Sequence, residues 1–255
     1  MLLHPTLAKL QRLGLRGMAE ELHRQAEAPG DVFGELSFED RLGLLVDAEA
    51  TLRENRRLSR HLAQAHLRLP QAVLEEFDLS QPRGFSRKMV LELAQAGWVR
   101  EHVGILITGP TGVGKTFLAC ALAHAAIRQG HSARYYRLSL LLDELAAARS
   151  RGTWRKLVHL LARYDVLVLD EWGLSPLLPD RARDLLEVVD ARYQHHSTVV
   201  VSQLPVPSWY EVIQDATLAD AILDRLVHDS HTLAMQGESM RKVLATATKP
   251  GPLGT

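Results

Sequence analysis

The stretch Gly109-Pro110-Thr111-Gly112-Val113-Gly114-Lys115-Thr116 restricts what this chain can fold into more than any other. It follows the apolar run Val103-Gly104-Ile105-Leu106-Ile107. It precedes Phe117-Leu118-Ala119-Cys120-Ala121-Leu122-Ala123, which reads as a buried helix. A strand, the spacing G-x-x-x-x-G-K-[ST] and a helix, in that order, are the setting a phosphate-binding loop requires. The glycines let backbone N–H groups close around phosphates, and the helix N-terminus adds partial positive charge. The Lys115 ammonium can then reach the β- and γ-phosphates of a nucleotide, and the Thr116 hydroxyl is placed to ligate Mg²⁺.

About fifty residues on comes Asp165-Val166-Leu167-Val168-Leu169-Asp170-Glu171. Four consecutive apolar residues predict a strand buried on both faces, with two acids at its C-terminal end, where ligands of open parallel sheets bind. Asp170 suits the Mg²⁺ shell. Glu171 suits accepting a proton from, or orienting, a water that attacks the γ-phosphate. An acidic helix cap after a strand is the plainer alternative, and the upstream phosphate loop weighs against it.

The elements between and beyond alternate. Helices are expected at 86–96, 115–128, 140–149, 154–163, 180–194 and 218–228, and further strands at 133–138 and 197–201. That pattern means an α/β domain with a parallel sheet covered on both faces. Gln203 ends the 197–201 strand, expected beside the acidic one; it is either a hydrogen-bond donor to the attacking water or γ-phosphate, or ordinary loop chemistry before Pro205. Arg225 projects from the last helix, away from Ala219, Ile222, Leu223 and Leu226. It either forms a local salt bridge or enters a neighbouring subunit's site to neutralise γ-phosphate charge.

The N-terminal third reads as helical. One helix opens at Pro5 and ends at Pro29-Gly30; a second starts near Ser37, with Ser37 and Asp40 as a variant capping box, and runs to about Leu67 with Phe38, Leu42, Leu45 and Leu52 as its apolar stripe. Arg53, Arg56, Arg57 and Arg60 stand at i, i+3, i+4 and i+7 on one face of it. Residues 51–68 hold five Arg and one Glu, a local charge of +4 in a chain of net charge zero. Either this face contacts the phosphate backbone of DNA, or it is solvated or paired with Glu49, Glu75 and Glu76. Pro70, the run Asp78-Leu79-Ser80-Gln81-Pro82 and Gly84 suggest a boundary. The expected domains are therefore 1–80, 81–248 and a loose tail at 249–255.

Because the net charge is zero, any nucleic-acid surface must be a local patch. The single cysteine, Cys120, forms no internal disulfide and reads as a buried apolar thiol. The first residues lack a secretory leader's pattern, and no run reaches the roughly 18 apolar residues of a membrane span, so a cytoplasmic location and no membrane partner are expected.

These residues in this order resemble the IstB family of transposition helper ATPases, relatives of DnaC-type helicase loaders in the AAA+ superfamily. The resemblance covers nearly the whole chain. It rests on Met18-Ala19-Glu20, the segment from Leu36 to Leu42, Asn55-Arg56-Arg57-Leu58, the phosphate loop and Asp170-Glu171-Trp172-Gly173-Leu174. Further on it includes Ser202-Gln203-Leu204-Pro205, the segment from Ala219 to Leu226, and Gly237-Glu238-Ser239-Met240-Arg241. It implies an all-helical DNA-binding or dimerising domain ahead of an AAA+ core. It also implies that Lys115 and Thr116 serve the nucleotide phosphates, Asp170 and Glu171 the metal and water, and Gln203 sensor 1. Arg225 would be an arginine finger donated in trans, and Arg241 would sit where sensor 2 lies. The implied activity is that of an ATP-dependent homo-oligomer that deforms double-stranded DNA and recruits a cognate transposase.

Arg149, Arg151, Arg155 and Lys156 surround Gly152 and Trp154 where initiators and loaders carry a helical insertion. Basic side chains beside an aromatic suit DNA contact; equally, Trp154 is core and the cations are solvated. Three alternatives remain: a helicase loader, a nucleotide-gated scaffold with slow turnover, and a small-molecule kinase. Glu171, the Arg225 helix and the lack of an Arg-rich lid disfavour the last.

Overall fold

The computed structural model describes residues 3–29, 32–77 and 83–240. Its internal packing divides the chain into two compact units, Met1–Arg60 and His61–Thr255. The expected boundary lies some twenty residues later, and most of that linker, 78–82, is outside the described residues. Residues 61–77 belong to the second unit for a physical reason: Ala65, Leu67, Ala72 and Phe77 are buried, and Phe77 stacks on Phe85 and Phe117.

The first unit is helical. Where one helix is expected, α1 (Leu3–Arg12) and α2 (Arg16–Glu27) are separated by a break at Gly14, whose φ of +77° a helix cannot contain. The long α3 (Phe38–Ala65) begins as its capping box predicts: Asp40 N–H donates to Ser37 Oγ at 3.1 Å, and Ser37 N–H to Asp40 Oδ2 at 3.3 Å. Helices α2 and α3 meet at Gly17, where a β-carbon would stand 2.6 Å from the Ala48 carbonyl oxygen. The buried Glu49 carboxylate accepts the Gly17 N–H at 2.7 Å, satisfying an orphan donor at the start of α2. Of the expected apolar stripe, Leu45 is buried, whereas Phe38 is 75% exposed and Leu42 is exposed. The close contact is made through Gly17 and Glu49 instead.

In the second unit α4 (Arg87–Ala94), capped by Ser86, and α5 (Gly97–Arg100) lead to β1 (Gly104–Thr108). Helix α6 (Lys115–Arg128), β2 (Ala133–Arg137), α7 (Leu138–Ser150), α8 (Trp154–Ala162) and β3 (Val166–Trp172) follow. Then come α9 (Pro179–Asp190), β4 (Ser197–Ser202), α10 (Trp209–Val212), α11 (Ala216–Val227) and β5 (Ser230–Ala234). The five strands pair in parallel in the order β2-β3-β4-β1-β5. Strand β5 has no sequence signature: it is an edge strand with only Leu233 buried, so it lacks the apolar run that marks β1, β3 and β4. The core between sheet and helices is built from Leu167 and Leu169 of β3, Leu141 and Leu145 of α7, Leu185 and Val188 of α9, and Trp172 against Trp209.

Candidate nucleotide site

The strand order places the C-terminal ends of β1, β3 and β4 side by side, and the expected site residues leave from those ends. The loop after β1 needs glycine at two points. Gly112, at φ +88°, would drive a β-carbon to 2.2 Å from Ser239 Oγ; Gly114, at φ +101°, is the left-handed residue from which α6 starts. Lys115 is buried to 8% exposure, and its ammonium donates to the Gly109 and Pro110 carbonyls, each at 2.7 Å. Burial pulls its pKa below the usual lysine value, while the Asp170 carboxylate pushes the other way. Phe117 stacks on Phe77 beside the loop.

Asp170, 2% exposed, is the hub. Its Oδ2 accepts the Thr116 hydroxyl at 2.8 Å and the Tyr135 hydroxyl at 2.7 Å, and its Oδ1 accepts the Glu171 N–H at 2.7 Å. Burial first, then the bond to Asp170, raises the pKa of Tyr135, so the phenol stays a donor. Glu171 has φ +66°, and the β3–β4 register slips between Leu169 and Trp172. A non-glycine residue in this conformation persists only where its surroundings impose it, and such residues cluster at functional sites. The Glu171 carboxylate accepts from Arg68 Nη1 at 2.7 Å. Gln203, at the end of β4, accepts the Thr111 hydroxyl at 2.7 Å, bringing the β4 terminus against the phosphate loop.

Arg225 stands elsewhere. Its Nε is 2.6 Å from Asp190 Oδ1, its Nη1 donates to the Ala221 carbonyl, and it lines a small cavity with Gly104 and Ser230. Those are the first residues of β1 and β5, so Arg225 lies at the end of the sheet opposite the phosphate loop. Arg241 lies outside the described residues.

The basic residues divide. Arg53 is paired with Glu49 at 2.6 Å, while Arg56, Arg57 and Arg60 are exposed on α3. Arg149 is held by Asp184 and covers the half-buried Trp154 ring, its guanidinium 4.3 Å from the ring centre; Arg151, Arg155 and Lys156 are exposed. Cys120 is buried and its thiol is pushed up to about 11, mainly by desolvation, as expected of an inert core cysteine. No described helix is long and apolar enough to cross a membrane.

Sequence reasoning missed Tyr135 and Arg68. Tyr135 sits in a strand where nothing marks it as polar-facing, and Arg68 counts only as one more charge in a basic stretch.

The profile for IstB-like ATP binding protein matches residues 8–247. A candidate insertion sequence ATP-binding protein of Sinorhizobium fredii, y4uH, is 46% identical over 243 residues, 95% of this chain and 97% of that one. The candidate ATP-binding protein of insertion sequence IS1162 from Pseudomonas fluorescens is 44% identical, covering 80% of this chain and 88% of its own. Among solved structures, DnaI superposes with a TM-score of 0.57 at 19% identity, over 65% of this chain and 92% of that chain, a likeness of AAA+ fold. Loop, acidic strand end and profile agree, and the chain belongs to the IstB-like ATP binding protein family.

Proposed function

We propose that the protein is an ATP-hydrolysing AAA+ regulator of insertion-sequence transposition, which oligomerises on double-stranded DNA, deforms it and recruits a cognate transposase. The observation that carries the reading is the bond from Thr116 to Asp170, with Glu171 adjoining. It joins a phosphate-binding helix start to a paired-acid strand end.

In this reading the loop residues 109–117 hold the ATP phosphates, and Lys115 offsets charge on the β- and γ-phosphates. Mg²⁺ fits the donors present, since it takes hard oxygen ligands and needs few from the protein. Thr116 and Asp170 would hold it, and it would supply neutralisation of phosphate charge. Glu171 orients the attacking water and accepts its proton, while Gln203 donates a hydrogen bond to that water or to the γ-phosphate. Arg225, distant from its own phosphate loop, completes the site of a neighbouring copy. The second unit, which takes in residues 61–77 as well as the expected 81–248, is the ATPase domain, and the first unit, ending at Arg60, carries a DNA-contacting face through Arg56, Arg57 and Arg60. Arg151, Arg155 and Lys156 supply a second basic patch. Arg53 and Arg149 fix that framework through Glu49 and Asp184. The insertion-sequence setting comes from the named relatives.

Electron microscopy of the protein with ATP and duplex DNA tests the assembly. Closed or helical oligomers on DNA are expected with wild type and not with Lys115→Ala. Isolated subunits under all conditions refute the reading.

A further inference from the structure

Arg68 is absent from the mechanism above, yet its guanidinium touches two of the groups in it. It lies three residues past α3, inside the second compact unit. Besides its 2.7 Å bond to Glu171 Oε1, its Nη1 is 3.9 Å from Asp170 Oδ2, the oxygen that also accepts the Tyr135 hydroxyl. Tyr135 belongs to β2, on one side of β3; Gln203 and its Thr111 contact belong to the other, where β4 leads to the phosphate loop. A carboxylate that serves the γ-phosphate water must turn toward the Gln203 side. Paired with Arg68, the Glu171 carboxylate is tied to the β2 side.

The backbone agrees. Glu171 occupies the left-handed region at a register slip, a conformation held by its N–H on Asp170 and its carboxylate on Arg68. The tie is also weak enough to open. Arg68 is 44% exposed and Glu171 25%, and ion pairs this accessible to water favour the closed form by only a small factor.

We propose that Arg68 is a positioning residue for hydrolysis: its guanidinium holds the Glu171 carboxylate toward β2, and Glu171 reaches the attacking water only when that pair opens. The proposal rests on the reading of Glu171 as the water-orienting group. Arg68 thereby restrains turnover without taking part in nucleotide binding.

Steady-state phosphate release by the full chain against ATP concentration tests this. Arg68→Ala is expected to raise kcat about two- to fivefold with KM nearly unchanged. Arg68→Gln, which keeps the bulk without the charge, should behave the same, and Arg68→Lys should restore most of the restraint. The doubly substituted Arg68→Ala/Glu171→Gln chain should turn over no faster than Glu171→Gln alone. An unchanged or lowered kcat in both Arg68→Ala and Arg68→Gln overturns the proposal, as does an acceleration that survives in the Glu171→Gln background. If Glu171→Gln alone hydrolyses ATP at the wild-type rate, the role of Glu171 falls, and the proposal with it. If Glu171→Gln stalls while both Arg68 variants match wild type, the restraint alone falls.

Discussion

Replacing Arg225 by alanine tests whether one catalytic site is assembled from two copies of the chain. Arg225 adjoins Gly104, the first residue of β1, whereas the phosphate loop leaves from Thr108, the last. Four residue steps at about 3.3 Å put about 13 Å of strand between the two ends, and Asp190 draws the guanidinium toward α9. Arg225 therefore cannot serve its own loop. An arginine supplied to the γ-phosphate is worth about 10³-fold or more in turnover, or about 4 kcal/mol. Its present ion pair, with side chains 28% and 58% exposed, holds it back by about 1 kcal/mol at most. Arg225→Ala should thus lose about 10³-fold in kcat while still binding nucleotide. Mixing it in equal amounts with Glu171→Gln, which binds ATP and assembles but stalls, should then restore activity. A productive interface needs an intact Glu171 on one side and an intact Arg225 on the other, each with probability one half. About a quarter of the wild-type rate per site should return in a phosphate-release assay. A mixture no faster than the sum of its two components refutes the shared site, and so does full-rate hydrolysis by Arg225→Ala.

Glu171→Gln should bind ATP and stall, accumulating DNA-bound oligomers in sedimentation; only monomers under ATP would contradict this. Removing the charges of Arg56, Arg57 and Arg60 together should weaken duplex binding and lower the slope of log affinity against log salt by up to about 2.7, at 0.9 per phosphate contact, read by fluorescence anisotropy. An unchanged slope sinks that face as a DNA contact. Gly17→Val should destabilise the first unit by at least about 3 kcal/mol, because its side chain would occupy the space of the Ala48 carbonyl and the Glu49 backbone. Thermal unfolding at the wild-type temperature would show that α2 and α3 do not pack this closely.

What was legible in the sequence was local or strongly patterned. Helix α6 begins at Lys115 and ends at Arg128 as expected, because a glycine-rich start and an unbroken apolar run define it. Strand β3 carries its acids where a run of four apolar residues puts them. Strand β5 was not legible, since an edge strand with one buried residue presents no pattern, and nor was the break at Gly14, because a single glycine in a helical stretch does not reveal a positive φ.

The basic stretch from 51 to 68 shows where such legibility stops. Its arginines are chemically identical in the sequence, and helical spacing sorts them only into faces. The fold sorts them by partner. Arg53 is bound to Glu49, a carboxylate that also holds the start of α2, so its charge is committed to building the first unit. Arg68 is bound to Glu171, a residue 103 positions away that only the pairing of β2, β3 and β4 brings near. Arg56 and Arg60 remain exposed on α3. Net charge over the stretch therefore overstates what DNA could neutralise. An ion pair already made must be broken before its cation serves a phosphate, while an exposed guanidinium carries no such cost. The carboxylate each arginine meets, four residues away for Arg53 and 103 for Arg68, decides whether it faces polyanion, framework or catalytic acid.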